Sequence, residues 1–397
     1  MISTSQSHKF SLPEDLTYLN MAYMSPLLKL SEVTGIEGLL KKSNPANLTI
    51  DDFFQPVDLL KKTFGKLIDA DSKQIALTPS VSYAMANAAN NISYKTDGEI
   101  IFLEEQFPSH YYVWADAAKK HNQSMINVGS GSDPSSRVQT WNANIIKSIN
   151  ENTTAVCMPH VHWTDGSLYN LMAINEACKK HNAYLIIDGT QSVGALPLSI
   201  AETGIDVLVV AGYKWLLGHY GLGLAYYSEK FNDGTPIEHN WINKKDSDNF
   251  SALVNYSDTY REGAARYSVG EKSNFTLMPM LQSGLEQILE WGVANIQAYC
   301  KDLHVKLIAE LEGTPFRVPA IGESSSHLTS IRFDNSIDLD KIKSAFAEEN
   351  IFVSYRGDAI RVSFYVFNEE EDVRKMGRVL RSVTTDSDLQ LHKTMIF

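Results

Sequence analysis

The strongest constraint on this chain is an alternation of short apolar runs with helical patterns between about residues 72 and 230. Candidate strands are Gln74–Thr78, Glu99–Leu103, Ala155–Met158, Tyr184–Asp188 and Val207–Ala211. Several are apolar at successive positions and so on both faces, the pattern of strands buried in a parallel sheet with helices on either side. Helix patterns fill the gaps, among them Ser82–Asn91, Tyr112–His121 and Met172–His181. This order predicts a doubly wound α/β domain.

Beyond Asn274 the texture changes. Two long helix patterns, Thr276–Trp291 and Val293–Leu311, lead into a strand at Leu328–Phe333, a helix at Leu339–Asn350, and strands at Phe352–Arg356 and Ile360–Phe364. A last helix is expected from Asn368, with Asn368 as its cap, Glu371 completing a capping box, and three glutamates suiting the helix dipole. The pattern predicts a compact α+β unit. The expected division is a large domain over 16–274 and a small one made of 1–15 and 275–397, well within what 397 residues can build. The one Ser/Gly-rich stretch, Gly129 to Ser136, reads as a surface loop.

Composition narrows the partners. A formal net charge of −12 argues against nucleic acid, whose binders need a basic surface. Hydrophobic residues at 44% and charged residues at 21% are ordinary for a soluble protein. Cys157, Cys178 and Cys300 have no paired spacing and read as reduced thiols of a cytoplasmic protein. The start, MISTSQSHKFSLPEDL, lacks the apolar core of a signal peptide, and no apolar run reaches the roughly 18 residues a membrane span needs.

Two ordered segments carry the chemistry. In YLIIDGTQSVGALP (184–197) a buried strand ends at Asp188, and Gln191 follows three residues later. In DVLVVAGYKWLLGHYGLG (206–223) a second buried strand ends near Ala211, and Lys214 follows at once. Ligands of open α/β sheets bind beyond the carboxyl ends of the strands, so parallel strands here open Asp188 and Lys214 into one crevice. A strand-end Asp alone is often a helix cap, and a lone Lys is usually solvated. Together they are the pair that pyridoxal 5′-phosphate (PLP) chemistry needs. The amine forms a Schiff base with the cofactor aldehyde and moves protons at the substrate α-carbon; the carboxylate keeps the pyridine nitrogen protonated. Partial desolvation pulls such a lysine's pKa down and favours the free amine.

These segments resemble the class V aminotransferase family of fold-type I PLP enzymes, which includes cysteine desulfurases, kynureninases and isopenicillin-N-epimerase-like proteins. The resemblance covers roughly residues 16 to 380. It implies a large domain with a mainly parallel seven-stranded sheet, a small α+β C-terminal domain, a PLP cofactor, an amino-acid substrate and a homodimer with active sites at the interface.

It also implies further site residues. The loop Thr78-Pro-Ser80-Val81-Ser82 resembles the family's phosphate-binding loop, and hydroxyls with backbone amides at a helix start form an anion site, although a plain Ser N-cap has the same look. The stretch Glu105-Gln106-Phe107-Pro108-Ser109 makes Phe107 the ring-stacking candidate; His110 stands where Asn is usual, and Trp114 falls at a structural Trp position. In HVHWTDG (160–166), Asp165 stands where Thr is common; it either contacts the ring hydroxyl or shapes the turn. Gln191 is expected on the ring oxygen and Tyr213 on the phosphate. The 268–274 loop resembles one that reaches the partner's phosphate. Glu271 replaces its usual Thr, so Ser273 or Asn274 takes that role. Arg361, in IRVSFYVFN, resembles the arginine that grips the substrate α-carboxylate through two parallel hydrogen bonds. Asn20 and Tyr23 fall in a segment that resembles the family's substrate-lining entry, and His110, His162 and Tyr365 are further pocket candidates.

Rival readings have weaker support. His160 and His162 alternate on one face of a possible strand, but no third ligand follows at metal-like spacing. The Gly218, Gly221 and Gly223 run lacks the GxGxxG order of dinucleotide folds, and no GxSxG elbow occurs. A non-catalytic binding protein on the same fold is disfavoured by the retention of Lys214, Asp188 and Arg361 together. Desulfurases use a cysteine just before the carboxylate-binding strand, and Tyr355 to Ile360 contains none. Transamination is the preferred reaction, with a selenocysteine-lyase or kynureninase-like elimination, or epimerisation, as alternatives.

Overall fold

The computed structural model describes residues 2–131, 137–334, 337–357 and 359–394; most of the expected Ser/Gly-rich loop, residues 132–136, lies outside them. The N-terminal half comprises β1 (Thr17–Tyr18), α1 (Lys29–Lys41), α2 (Asp51–Ile68), β2 (Ile75–Thr78), α3 (Val81–Ala89), β3 (Glu99–Leu103) and α4 (Pro108–Lys120). There follow β4 (Ser124–Val128), α5 (Arg137–Ser148), β5 (Thr153–Pro159), α6 (Leu171–Lys180), β6 (Tyr184–Asp188), α7 (Ile200–Thr203), β7 (Val207–Ala211) and β8 (Gly223–Tyr227). The chain then runs through α8 (Leu277–Trp291), α9 (Val293–Glu310), β9 (Leu328–Ile331), α10 (Leu339–Glu348), β10 (Ile351–Phe352), β11 (Ser354–Arg356), β12 (Ala359–Ser363) and α11 (Glu370–Thr394).

The seven-stranded sheet has the order β2-β8-β7-β6-β5-β3-β4, and only β8 runs antiparallel to its neighbours. All residues of β7 and all but the first of β6 are buried, because helices cover both sheet faces. Each such Val, Leu or Ile contributes about 1.5–3 kcal/mol on burial. The parallel register places Asp188 opposite Pro159 on one side and Val209 on the other, so the ends of β5, β6 and β7 open together.

The three-stranded antiparallel sheet β11-β12-β9 carries the C-terminal unit. β1 pairs with β10, which ties the N-terminal segment to that unit, and Leu19, Met21 and Ala22 join its core. α8 feeds both cores. Its Met278, Leu281 and Leu285 pack under the large sheet, and its Ile288 and Trp291 pack in the C-terminal unit. A division near 274 therefore remains our proposal, with α8 shared between the two units.

Two local results refine the expectations. The last helix begins one residue later than expected. Asp372, not Glu371, reaches back to the Glu369 amide at 3.0 Å, while Asn368 accepts from the Tyr365 amide and donates to Asp372. The second concerns Gly194 of the DGTQSVGALP segment. It adopts φ +100°, and a Cβ there would lie 2.2 Å from the Trp215 carbonyl oxygen. This close approach locks the Asp188 segment against the Lys214 segment. Gly194→Ala is expected to destabilise the fold by at least about 2 kcal/mol, read as a lowered urea midpoint with an unchanged m-value.

Candidate active site

A cavity of about 180 Å³ opens at the carboxyl ends of β5, β6 and β7, with the start of α3 among its walls. Lys214 follows β7 without a helix in between, so its side chain lies at the sheet edge, 7% exposed. Burial pulls its pKa down to about 7, helped by the positive charge of Arg361 and opposed by Asp188. Its Nζ lies 5.7 Å from the Phe107 ring centroid and 5.6 Å from that of Tyr213.

Asp188 ends β6. One carboxylate oxygen accepts from the Thr190 amide at 2.9 Å; the other accepts no hydrogen bond among the described residues. The Thr190 hydroxyl in turn holds the Ala211 amide at 3.1 Å, bracing the ends of β6 and β7 together. His110, on α4, is buried, with its pKa lowered to about 4 despite the nearby Asp188 charge. It is a neutral imidazole at pH 7, and its Nε2 has no partner.

At the opposite wall, Ser80 caps α3 by accepting from the Tyr83 amide at 3.2 Å, and its hydroxyl lies 3.1 Å from that of Ser82. These hydroxyls and the unpaired amides of the first turn face the cavity with Val81. Tyr213 packs on Tyr220 at 4.6 Å between centroids, and burial raises its pKa to about 12. Phe107 stands edge-on to Trp163 at 5.4 Å and 84°. Gln191 is anchored at both ends of its amide: Nε2 donates to the Ala22 carbonyl at 3.1 Å, and Oε1 accepts from Trp215 Nε1 at 2.9 Å.

Arg361 lies on β12 and is 2% exposed. It donates to the Trp163 carbonyl at 2.9 Å and to Ser354 Oγ at 3.3 Å, and its Nε has no partner. Burial, with Arg356 nearby, brings its pKa down to about 9. Asn20 accepts from Ser354 Oγ at 2.8 Å and so backs Arg361 through Ser354; neither Asn20 nor Arg361 is among the residues that line the cavity. Tyr23 is half exposed, outside the cavity wall.

Several sequence candidates lie elsewhere in this chain. Asp165 is buried away from the cavity, takes the Arg137 guanidinium at 2.9 Å and accepts from the Ser167 amide. Of its two open roles, turn shaping is the one its contacts describe. His162 bonds Thr164 and the Glu104 carbonyl, and Tyr365 is sealed in the core; of the extra pocket candidates only His110 lines the cavity. Ser273 donates to the Phe53 carbonyl at 2.5 Å, and Asn274 Oδ1 accepts from the Thr276 and Leu277 amides where α8 begins. Among the described residues no group of three or more His, Cys, Asp or Glu is placed to hold a metal. The lining also includes Trp163, Thr190 and Tyr220, which lie inside segments quoted for other residues, and Pro159 at the end of β5, which lies in none.

The donor set fits PLP. An anion site, a desolvated amine and a carboxylate with a free oxygen converge on one cavity, as a phosphate, an aldehyde and a ring nitrogen require. Comparison with known proteins agrees. Residues 49–376 match the family model described as Aminotransferase class-V. The uncharacterized aminotransferase YcbU of Bacillus subtilis (strain 168) is 23% identical over 321 residues, 81% of this chain and 82% of that protein. The kynureninase of Geobacillus thermodenitrificans (strain NG80-2) is 23% identical over 313 residues, 73% of this chain and 68% of that protein. The solved structure of a C-DES mutant with glycine covalently linked to the PLP cofactor superposes with a TM-score of 0.82 at 18% identity, covering 95% of this chain and 99% of that one. The chain therefore belongs to the class V aminotransferase family of PLP-dependent, fold-type I enzymes.

Proposed function

We propose that this protein is an aminotransferase that holds PLP on Lys214 and takes the amino group of an α-amino acid. The observation that carries the reading is Lys214 itself, a buried amine drawn down to about 7 within electrostatic reach of both Asp188 and Arg361. When bound, the cofactor supplies an electron sink for the electron pair left as the substrate α-hydrogen departs as a proton. Arg361 receives the substrate α-carboxylate, supported by its unpartnered Nε and the fork geometry of its guanidinium. Lys214, with a pKa drawn down to about 7 and so partly unprotonated at neutral pH, accepts the α-proton and returns it to a neighbouring carbon. Asp188 keeps the ring nitrogen protonated through its free oxygen. Ser80, Val81, Ser82 and Tyr213 hold the phosphate, Phe107 covers the ring, and Gln191 has an Nε2 hydrogen left for the ring oxygen.

Asp188→Asn is expected to retain the cofactor and lower kcat by about 10²–10³-fold, measured by single-turnover kinetics. Cys157, Cys178 and Cys300 are all free, buried and away from the cavity, which supports neither a persulfide carrier nor a desulfurase mechanism. A lyase uses the same residues up to removal of the α-proton, and the kynureninase relative favours that as the second reading. Incubating the holoenzyme with a panel of amino acids, with and without a keto-acid acceptor, separates the two. A donor keto acid that forms only in step with a new amino acid supports transamination. Ammonia, alanine or a keto acid that accumulates without acceptor contradicts it.

We propose further that two copies assemble, each site completed by the partner's 268–274 segment. The support is a row of exposed apolar side chains on α1: Leu30, Val33, Ile36, Leu39 and Leu40, each more than half exposed. Light scattering at micromolar concentration is expected to give twice the chain mass, and Ile36→Asp to lower it.

A further inference from the structure

A second polar cavity, of about 120 Å³, lies between α2 and the 261–272 segment, apart from the proposed active site. Four cationic side chains line it, Lys61, Lys73, Arg261 and Lys272, together with two acids, Asp58 and Glu262; Lys73 pairs with Glu262, which leaves Lys61, Arg261 and Lys272 facing Asp58. Lys272 is 5% exposed, and its ammonium donates only to the neutral amide oxygen of Asn243. Lys61 makes no hydrogen bond or ion pair among the described residues. The Arg261 guanidinium stacks 4.6 Å from the Phe54 ring, and its Nε donates to Ser247 Oγ. Its Nη2 is buried, 3.3 Å from the mostly exposed Asp248 at an angle that makes no hydrogen bond.

The acids nearby do not balance these charges. Asp58 is exposed on α2 and forms no ion pair with Lys61. Glu262 is taken by the exposed Lys73 at 2.9 Å, and Asp71 caps the following turn by accepting from the Lys73 amide. Burial is costly for an ammonium unless an anion and hydrogen bonds compensate it. Lys272 bears this strain: burial, then Lys61 and Arg261, lower its pKa to about 7. A structure that gathers three donors around a small cavity and leaves one ammonium and one guanidinium nitrogen without hydrogen bonds is one arm short of a closed charge network.

We propose that this cavity binds a small tetrahedral oxyanion, a sulfate or phosphate group, held between Lys61, Arg261 and Lys272. The volume suits one such group. Two ammonium ions and a guanidinium offer converging donors for its oxygens. The cavity is separate from the one proposed for the reaction, and sulfate binding is read directly, so its test stands apart from that of the reaction. It shares Lys272 with the 268–274 segment proposed above to complete the partner's site, so an anion here would also pin that segment to α2.

The test uses PLP-saturated holoenzyme, so the cofactor's own phosphate site is filled, and follows calorimetric titration with sodium sulfate and sodium phosphate at ionic strength fixed with sodium chloride. Saturable binding in the millimolar range or tighter is expected, weakened at least tenfold in the Lys61→Met/Lys272→Met double variant. Lys61→Met alone, which leaves the buried Lys272 in place, is expected to weaken it at least threefold. Lys62→Met, which removes an exposed lysine of α2 that does not line the cavity, should leave binding unchanged. The double variant removes two crowded like charges, so its melting temperature without sulfate should equal or exceed that of the parent. Glycerol 3-phosphate tells the source of the group: binding as tight as inorganic phosphate assigns an esterified phosphate, weaker binding the free ion. Titration heats no different from added chloride, or full retention of binding in the double variant, would overturn the proposal.

Discussion

Lys214→Ala is expected to abolish the yellow colour of the holoenzyme and to lower kcat by about 10⁴-fold or more, the upper end of what one positioned acid–base group contributes, since the cofactor's anchor goes with it. The pH dependence follows from the same amine. The amine is free only while a substrate holds the cofactor, so with its pKa lowered to about 7 it is kcat, which reports the enzyme–substrate complex, that should rise with pH through that value and fall below it as the ammonium form takes over. Stability of the cofactor-free protein carries a matching signature. Between about pH 7 and the unfolded lysine's value the unfolded chain binds one more proton than the native state, so stability rises with pH. The slope is at most about 1.4 kcal/mol per pH unit for one proton. Lys214→Ala should remove one proton's share of that slope and leave the share of Lys272, whose pKa is also lowered to about 7, whereas a substitution that merely disturbs packing would leave both. Urea titrations at pH 6, 7, 8 and 9 read it.

Arg361→Met is expected to lower kcat/KM for the amino-acid donor by about 30-fold to several thousandfold, the 2–5 kcal/mol range for truncating one partner of a buried charge pair. A rise in KM should dominate, because the proposed contact exists as soon as the carboxylate binds. Two further effects separate this role from a structural one. The Arg361 charge helps to lower the Lys214 pKa, so the acidic limb of the pH profile should move to higher pH in the variant. Arg361 is also buried with an unpartnered Nε, so the free enzyme should become more heat-stable while losing activity. Lower stability with an unmoved pH profile would assign Arg361 to the core.

The sequence marked most of the frame that builds this site. Strands buried on both faces, such as Tyr184–Asp188 and Val207–Ala211, carry an unbroken apolar signal and end where the structure ends them. β4 and β8 escaped notice for physical reasons. β4 (SMINV) is an edge strand with one buried residue, and β8 (GLAYY) starts on a glycine inside a run read only for its motif. The line from Asp188 to Lys214 was legible because both residues sit within a few positions of a strand end. What could not be read is who meets whom across the fold. His110 comes within reach of Asp188 only because α4 and β6 pack at the same sheet edge. Asn20 reaches Arg361 only through Ser354, the cross-strand neighbour of Arg361 on β11. Five histidines, His110, His160, His162, His304 and His327, are buried with lowered pKa values, a property of the packed core that no local pattern encodes.

The central claim, that Lys214 carries the cofactor, is tested most directly by reducing PLP-loaded protein with sodium borohydride, digesting it and mapping the peptides by mass. A single phosphopyridoxyl-modified peptide containing Lys214 is expected, absent in Lys214→Ala. Modification at a different lysine, or none in protein shown to bind PLP, would contradict it.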